Sequence, residues 1–135
     1  MTDWAIRAVA IVGVMLVILT TASGQAPDAD GANLFARYCA SCHGRVGEGD
    51  GPVASAMVIN VPNLRTLSAR SNGSFPRDAV TRYIDGRNSP LAHGDRIMPV
   101  WGNTFTEGAE DSDSPEDVAR QRIDAITEFV EQLQN

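Results

Sequence analysis

The sequence contains no lysine. All eleven of its basic residues are arginine, set against seventeen Asp and Glu, for a formal net charge of −6. With no basic surplus to neutralise phosphates, nucleic acid is excluded as a partner. Aromatic residues are scarce, at 6% of the 135 residues, so a bulky apolar cofactor could supply core that the side chains do not. No stretch of useful length alternates apolar and polar residues, which argues against strands, and there is no internal repeat. Cysteine is limited to two residues, with no second pair to complete a four-ligand zinc site. An apolar run of full membrane-spanning length is also missing. The longest, residues 8–19, has twelve residues, where a helical span needs about 20.

That short run follows Arg7 and gives way to small residues, Thr20 to Gly24, which is the pattern of an export signal. Cleavage near Ser23, Gly24 or Ala26 fits the spacing of small side chains. If the segment is retained, Trp4, Ala5 and Ile6 extend it into a membrane tether over residues 4–22. Residues 1–24 therefore read as a signal peptide or N-terminal membrane anchor, 25–30 as a polar linker, and 31–135 as one domain. On either reading the folded part is expected outside the cytoplasmic membrane, in the periplasm, free or anchored to the outer face of that membrane.

The domain reads as all-α, with three to five helices and long loops. Asp30 is a candidate N-cap for a helix that places Leu34, Phe35 and Tyr38 on one face and runs into Cys39. Residues 44–52, with four Gly and a Pro, form a loop. Residues 53–59 could make a short helical turn, and 61–74 look irregular. A helix starts after Pro76, with Ala79, Val80, Tyr83 and Ile84 at helical spacing, and ends at Gly86. Residues 88–103 read as a loop, and the acidic stretch 107–113 as a mobile segment. Ser114, Pro115 and Asp117 mark the start of a last helix whose stripe is Val118, Ile123, Ile126, Val130 and Leu133. Loops of this length in so small a domain need something to organise them. A bound group wrapped by the loops would do so.

Both cysteines fall in Cys39-Ala40-Ser41-Cys42-His43. The C-x-x-C-H arrangement is the attachment signature for haem. Two thiols three residues apart on one helical turn can each form a thioether to a vinyl group at one edge of a porphyrin, and the next residue, His43, is carried toward the iron. A structural disulfide would not explain the adjacent histidine. A thioredoxin-like redox pair would want a βαβ setting. The second axial ligand has three candidates. Met98 lies in an irregular segment stiffened by Pro99 and is favoured. His93, five residues earlier, would reach the same face. Met57 sits in a short apolar run and reads as core. An open iron site is the remaining alternative. A ligating histidine normally donates its other ring nitrogen to a carbonyl, and Pro52 at the end of the glycine loop is the expected acceptor. Arg65, Arg87 and Trp101 are candidates for contact with the haem propionates.

These residues resemble the class I monohaem cytochromes c of bacterial periplasms, over residues 31–133. Residues 31–35 and 38–44 are similar to the family's first helix and haem site, and 47–52 to its glycine loop. Residues 83–87 are similar to the helix end before the distal loop, and 93–102 to the distal-ligand segment of one bacterial subgroup. The resemblance implies a small class I cytochrome c fold around one covalent haem c. It also implies a Pro carbonyl accepting from the proximal histidine, and first and last helices that cross, with Gly31 and Phe35 against Ile126 and Phe129. The best-known members dock through a ring of lysines, which this chain lacks.

Electron transfer without enzymatic turnover is the leading expectation, because His/Met ligation leaves no open position for substrate. The implied partners are redox proteins: a membrane oxidase, reductase or dehydrogenase. One alternative is a membrane-tethered cytochrome subunit of a respiratory or dehydrogenase complex. Another is a haem enzyme or sensor with an open sixth site. The charge is split along the chain. Residues 37–96 carry a surplus of three positive charges and residues 97–135 a deficit of seven, with Asp28 and Asp30 making up the rest.

Overall fold

A computed structural model of the chain describes residues 30–88 and 97–135. Residues 1–29, which hold the expected export or anchor segment, and His93 lie outside the described residues. No helix among those described is long and apolar enough to cross a membrane. They form six α-helical segments and no strand: α1 (Gly31–Tyr38), α2 (Ala40–His43), α3 (Leu67–Arg70), α4 (Arg77–Asp85), α5 (Trp101–Glu107) and α6 (Pro115–Gln132). The all-α class is the expected one. The count exceeds three to five because α2 and α3 are single turns of four residues each, too short to carry a readable period.

Asp30 caps α1 as its position suggests: the carboxylate accepts from the Ala32 amide at 3.0 Å and the Asn33 amide at 3.5 Å. Leu34 and Phe35 are buried on the inner face. The helix is broken at Cys39 and resumes as α2, so the motif sits on its own turn at the end of a rigid element. A 3-10 turn, Ala54–Ala56, stands where a short helical turn was expected. Residues 61–74 depart from the irregular expectation, holding a second 3-10 turn, Leu64–Thr66, that leads into α3.

The last helix is the organising element. α6 packs against α1, α4 and α5, and its inner stripe is Ala119, Ile123, Ile126, Thr127 and Val130. The expected stripe is met at Ile123, Ile126 and Val130, while Val118 and Leu133 stay half-exposed. Ala119 and Thr127 are fully buried instead. Thr127 can enter the core because its Oγ1 accepts from the Thr81 hydroxyl at 3.3 Å, which removes the cost of an unpaired buried hydroxyl. Ser114 stands at the start of α6, but its hydroxyl donates to the Asp117 carboxylate at 2.6 Å and caps no backbone amide.

The crossing of α1 and α6 matches the arrangement that the resemblance implied. A Cβ added at Gly31 would lie 2.1 Å from the Ala125 carbonyl oxygen and 3.1 Å from Phe129 Cβ, so only glycine lets the two backbones approach this closely. The rings of Phe35 and Phe129 meet across the crossing at 5.1 Å. α5 closes the other side with an aromatic cluster of Tyr38, Trp101 and Phe105, their centroids 5.1 to 5.8 Å apart. Ala109 is buried beyond the end of α5, anchoring the acidic stretch 107–113, which has no other apolar side chain.

Candidate functional site

The one-turn helix α2 would be unstable alone, since a single turn fixes more dihedrals than it gains hydrogen bonds. The glycine loop holds it. The Val53, Gly51 and Gly49 amides donate to the carbonyls of Ser41, Cys42 and His43 at 3.1, 3.1 and 2.8 Å, so the carbonyls left open at the helix end are satisfied by the chain folding back. Within the motif, the Cys42 and His43 amides both donate to the Cys39 carbonyl, at 3.2 and 2.9 Å. Cys39 is buried and Cys42 half-buried, and neither forms a disulfide. The Cys39 thiol is pushed up to about 12 by burial, and further by the neighbouring Cys42.

Two adjoining cavities open against this turn, one of about 310 Å³ and one of about 110 Å³. Cys39, His43, Pro62, Tyr83 and Met98 line both, so the two are halves of one crevice. Its walls are mostly apolar: Ile84, Ile126 and Val130 on one side, Met57, Ile59 and Val61 on the other. Met98 is half-buried and packs against the core. The crevice therefore brings Cys39, Cys42, His43, Met98 and Trp101 together, as the sequence suggested.

Four other expectations change. The carbonyl acting on His43 is that of Pro62, not Pro52. The amides on both sides of Pro52 are tied to carbonyls of α2 and Pro52 lines neither half of the crevice, whereas Pro62 lines both. The Leu64 amide donates to the Gly47 carbonyl at 2.7 Å, folding the chain so that Pro62 arrives beside the histidine. Burial lowers the His43 pKa, and the Pro62 carbonyl opposes that shift. The Nδ1 atom of His43 is nonetheless buried without a partner at hydrogen-bonding distance and angle. Arg65 does not line the crevice. Its guanidinium donates to Asn135 Oδ1 at 2.7 Å and lies 3.8 Å from Glu48. Arg87 is also elsewhere, donating to both Asp85 oxygens at 2.8 and 2.7 Å and to Glu116 at 2.7 Å. Met57, read as core, lines the smaller cavity beside Val58, which is 92% exposed.

Sequence reasoning missed Arg70 and Tyr83 as crevice residues. Tyr83, which shares its helical spacing with Ala79, Val80 and Ile84, is 59% exposed at the crevice, and of the four only Ile84 is buried. No signal singled out Arg70 among eight similar arginines, and none could choose between two loop prolines as the source of the accepting carbonyl.

The residues present fit a covalent haem. Two unpaired thiols sit one helical turn apart, apolar walls face them, and a buried imidazole nitrogen lacks a partner. A carbonyl beside one ring nitrogen leaves the other for a metal. A search of curated proteins and one of solved structures each found no match. The family model for cytochrome c, however, matches residues 29–134. That span takes in the attachment turn, the crevice and the helix crossing, and it places the chain in the cytochrome c family, with covalently bound haem c as its cofactor.

Proposed function

We propose that this chain is a one-electron carrier whose haem iron is ligated by His43 and Met98, working outside the cytoplasmic membrane between redox proteins. The observation that carries this reading is the shared lining: His43 and Met98 both border both halves of the crevice. Cys39 and Cys42 would hold the cofactor at one edge through thioethers. The haem supplies the one-electron iron couple. The chain's own residues set the potential and the access. A thioether and an imidazole as ligands would favour the reduced state and a relatively high potential, and the apolar walls would keep water from the site.

Export is supported by Arg7, the short apolar run and the small residues after it. If that run is kept, the same segment would tether the domain to the membrane, making it a subunit of a membrane oxidoreductase. N-terminal sequencing of the mature protein distinguishes the two.

The test of the ligand set is the weak near-infrared sulfur-to-iron band of the oxidised protein. The band is expected in the wild type and in Met57→Ala, and lost in Met98→Ala, which should also bind carbon monoxide readily when reduced. A band that survives Met98→Ala and disappears in Met57→Ala would transfer the ligand role to Met57. Its absence from the wild type would leave His93 or an open site.

A further inference from the structure

Pro62 and His43 border the same crevice, yet Val61 and Pro62 belong to no helical turn, and proline has no amide of its own to bond. Their place is set by what holds the residues around them. One support is the glycine loop. A Cβ on Gly49 would lie 2.4 Å from the Val61 carbonyl oxygen and 3.3 Å from that of Pro62. Residues 61–62 therefore lie directly against the loop, whose Gly49 amide bonds to the His43 carbonyl. The His43 Nδ1 atom is buried and makes no full hydrogen bond, so the approach of the Pro62 carbonyl is what the ring can still gain or lose.

The other support comes from beyond the end of α6. Gln134 is half-buried, and its side chain bonds to backbone on both sides. Its Oε1 accepts from the Ser68 amide at 2.9 Å, and its Nε2 donates to the Leu64 and Val130 carbonyls at 2.8 and 2.7 Å. Beside it the Asn135 amide donates to the Arg65 carbonyl at 3.2 Å. Val130 belongs to the buried stripe of α6, so Gln134 fastens residues 64–68 to the helix that organises the fold. A primary amide can accept and donate twice at once, and here all of that capacity goes to backbone. Leu133 packs on the same region, its Cδ1 3.1 Å from where a Cβ on Gly47 would stand. The glycine loop and the residues after α6 thus grip the 61–68 segment from two sides.

We propose that Gln134 is a positioning residue for His43: by fixing residues 64–68 it sets how closely the Pro62 carbonyl meets the imidazole, and through that contact the midpoint potential. The inference rests on the reading of His43 as an iron ligand and is independent of the side chain on the other face. A ring N–H that leans on a carbonyl makes the imidazole a stronger donor to a metal, which favours oxidised iron. With the Gln134 bonds gone, residues 61–64 relax, the contact weakens and reduced iron is favoured.

The test compares the wild-type holoprotein with Gln134→Ala and Gln134→Leu, by midpoint potential and by solvent exchange of the His43 Nδ1 proton in the reduced state. Leucine keeps most of the volume and none of the polar bonds. Both variants are expected to raise the potential and to speed the exchange. A merely bracing glutamine would lower the unfolding temperature and leave both readouts at their wild-type values, which overturns the proposal. A shifted potential with unchanged exchange overturns it too, because the effect then bypasses the contact between His43 and Pro62. In the oxidised wild type an iron-bound His43 ring carries large paramagnetic shifts. Their absence is failure of the ligand reading, and the proposal falls with it, whereas shifted signals indifferent to Gln134 reject this proposal alone. Should neither variant take up haem, exchange in the wild type decides. The Ser68 amide and the His43 Nδ1 proton should open together, with one dependence on denaturant, and unrelated dependences overturn the proposal equally.

Discussion

Among the described residues, arginine makes the ion pairs, and the guanidinia of Arg65, Arg77, Arg87 and Arg120 join different parts of the chain. Arg87 bridges Asp85 at the end of α4 and Glu116 at the start of α6, and its Nε would lie 2.3 Å from a Cβ placed on Gly102. It therefore backs the first turn of α5, the element that follows Met98 and Pro99. Arg87→Ala should leave Met98 on the iron at rest but let imidazole bind the oxidised protein faster, as measured by loss of the near-infrared band. Glu116 is held below its ordinary value of 4.5, chiefly by the Arg87 hydrogen bond. A carboxylate lowered in the folded state stabilises it fully above the unfolded value, and that contribution is lost as pH falls through the folded one. Glu116→Gln should accordingly flatten part of the decline in unfolding temperature below pH 4.5. The residue scale is also where sequence reading was most selective. Cys39, Cys42 and His43 were legible because a covalent attachment fixes their spacing. Pro62 and Arg70 were not, because a carbonyl or a guanidinium can be delivered from any loop that folds back far enough.

At the scale of elements, legibility followed length. α1, α4 and α6 were readable because each shows capping residues and more than two turns of period. α2 was legible only as the turn that carries the cysteines and α3 not at all, and both exist because the glycine loop and the C-terminal residues hold them. α5 was hidden for another reason: Trp101 to Glu107 has only two large apolar side chains, Trp101 and Phe105, and both serve the aromatic cluster with Tyr38. Its place came from tertiary packing, which local pattern does not report. The α1–α6 crossing depends on the missing side chain at Gly31, and overpacking such a contact typically costs 1–3 kcal/mol. Gly31→Val should destabilise the folded protein by about that amount in denaturant unfolding, with the haem spectrum of the folded fraction unchanged. An unaltered midpoint would mean the helices can part at no cost and that the close approach is incidental.

Along the sequence, charge is sorted by region, with residues 37–96, rich in arginine, supplying most of the crevice and residues 97–135, with their acidic surplus, the whole of α6. If the exposed edge of the crevice meets the partner, the nearby arginines favour an acidic docking surface, and the association rate with that partner should fall as salt rises. A rate indifferent to ionic strength would point instead to the apolar rim of Val58, Ile59 and Ile97, which are 92, 48 and 44% exposed. The wall that includes Leu64, Leu67 and Arg70 has a further property. Gln134 stitches it to α6, accepting from the Ser68 amide and donating to the Leu64 and Val130 carbonyls at 2.7 to 2.9 Å. The attachment cysteines lie near the opposite end of the described chain from that stitch. During synthesis the thiols thus emerge well before the residues able to close the wall over them. The wall beside the thiols therefore closes only once α6 is in place.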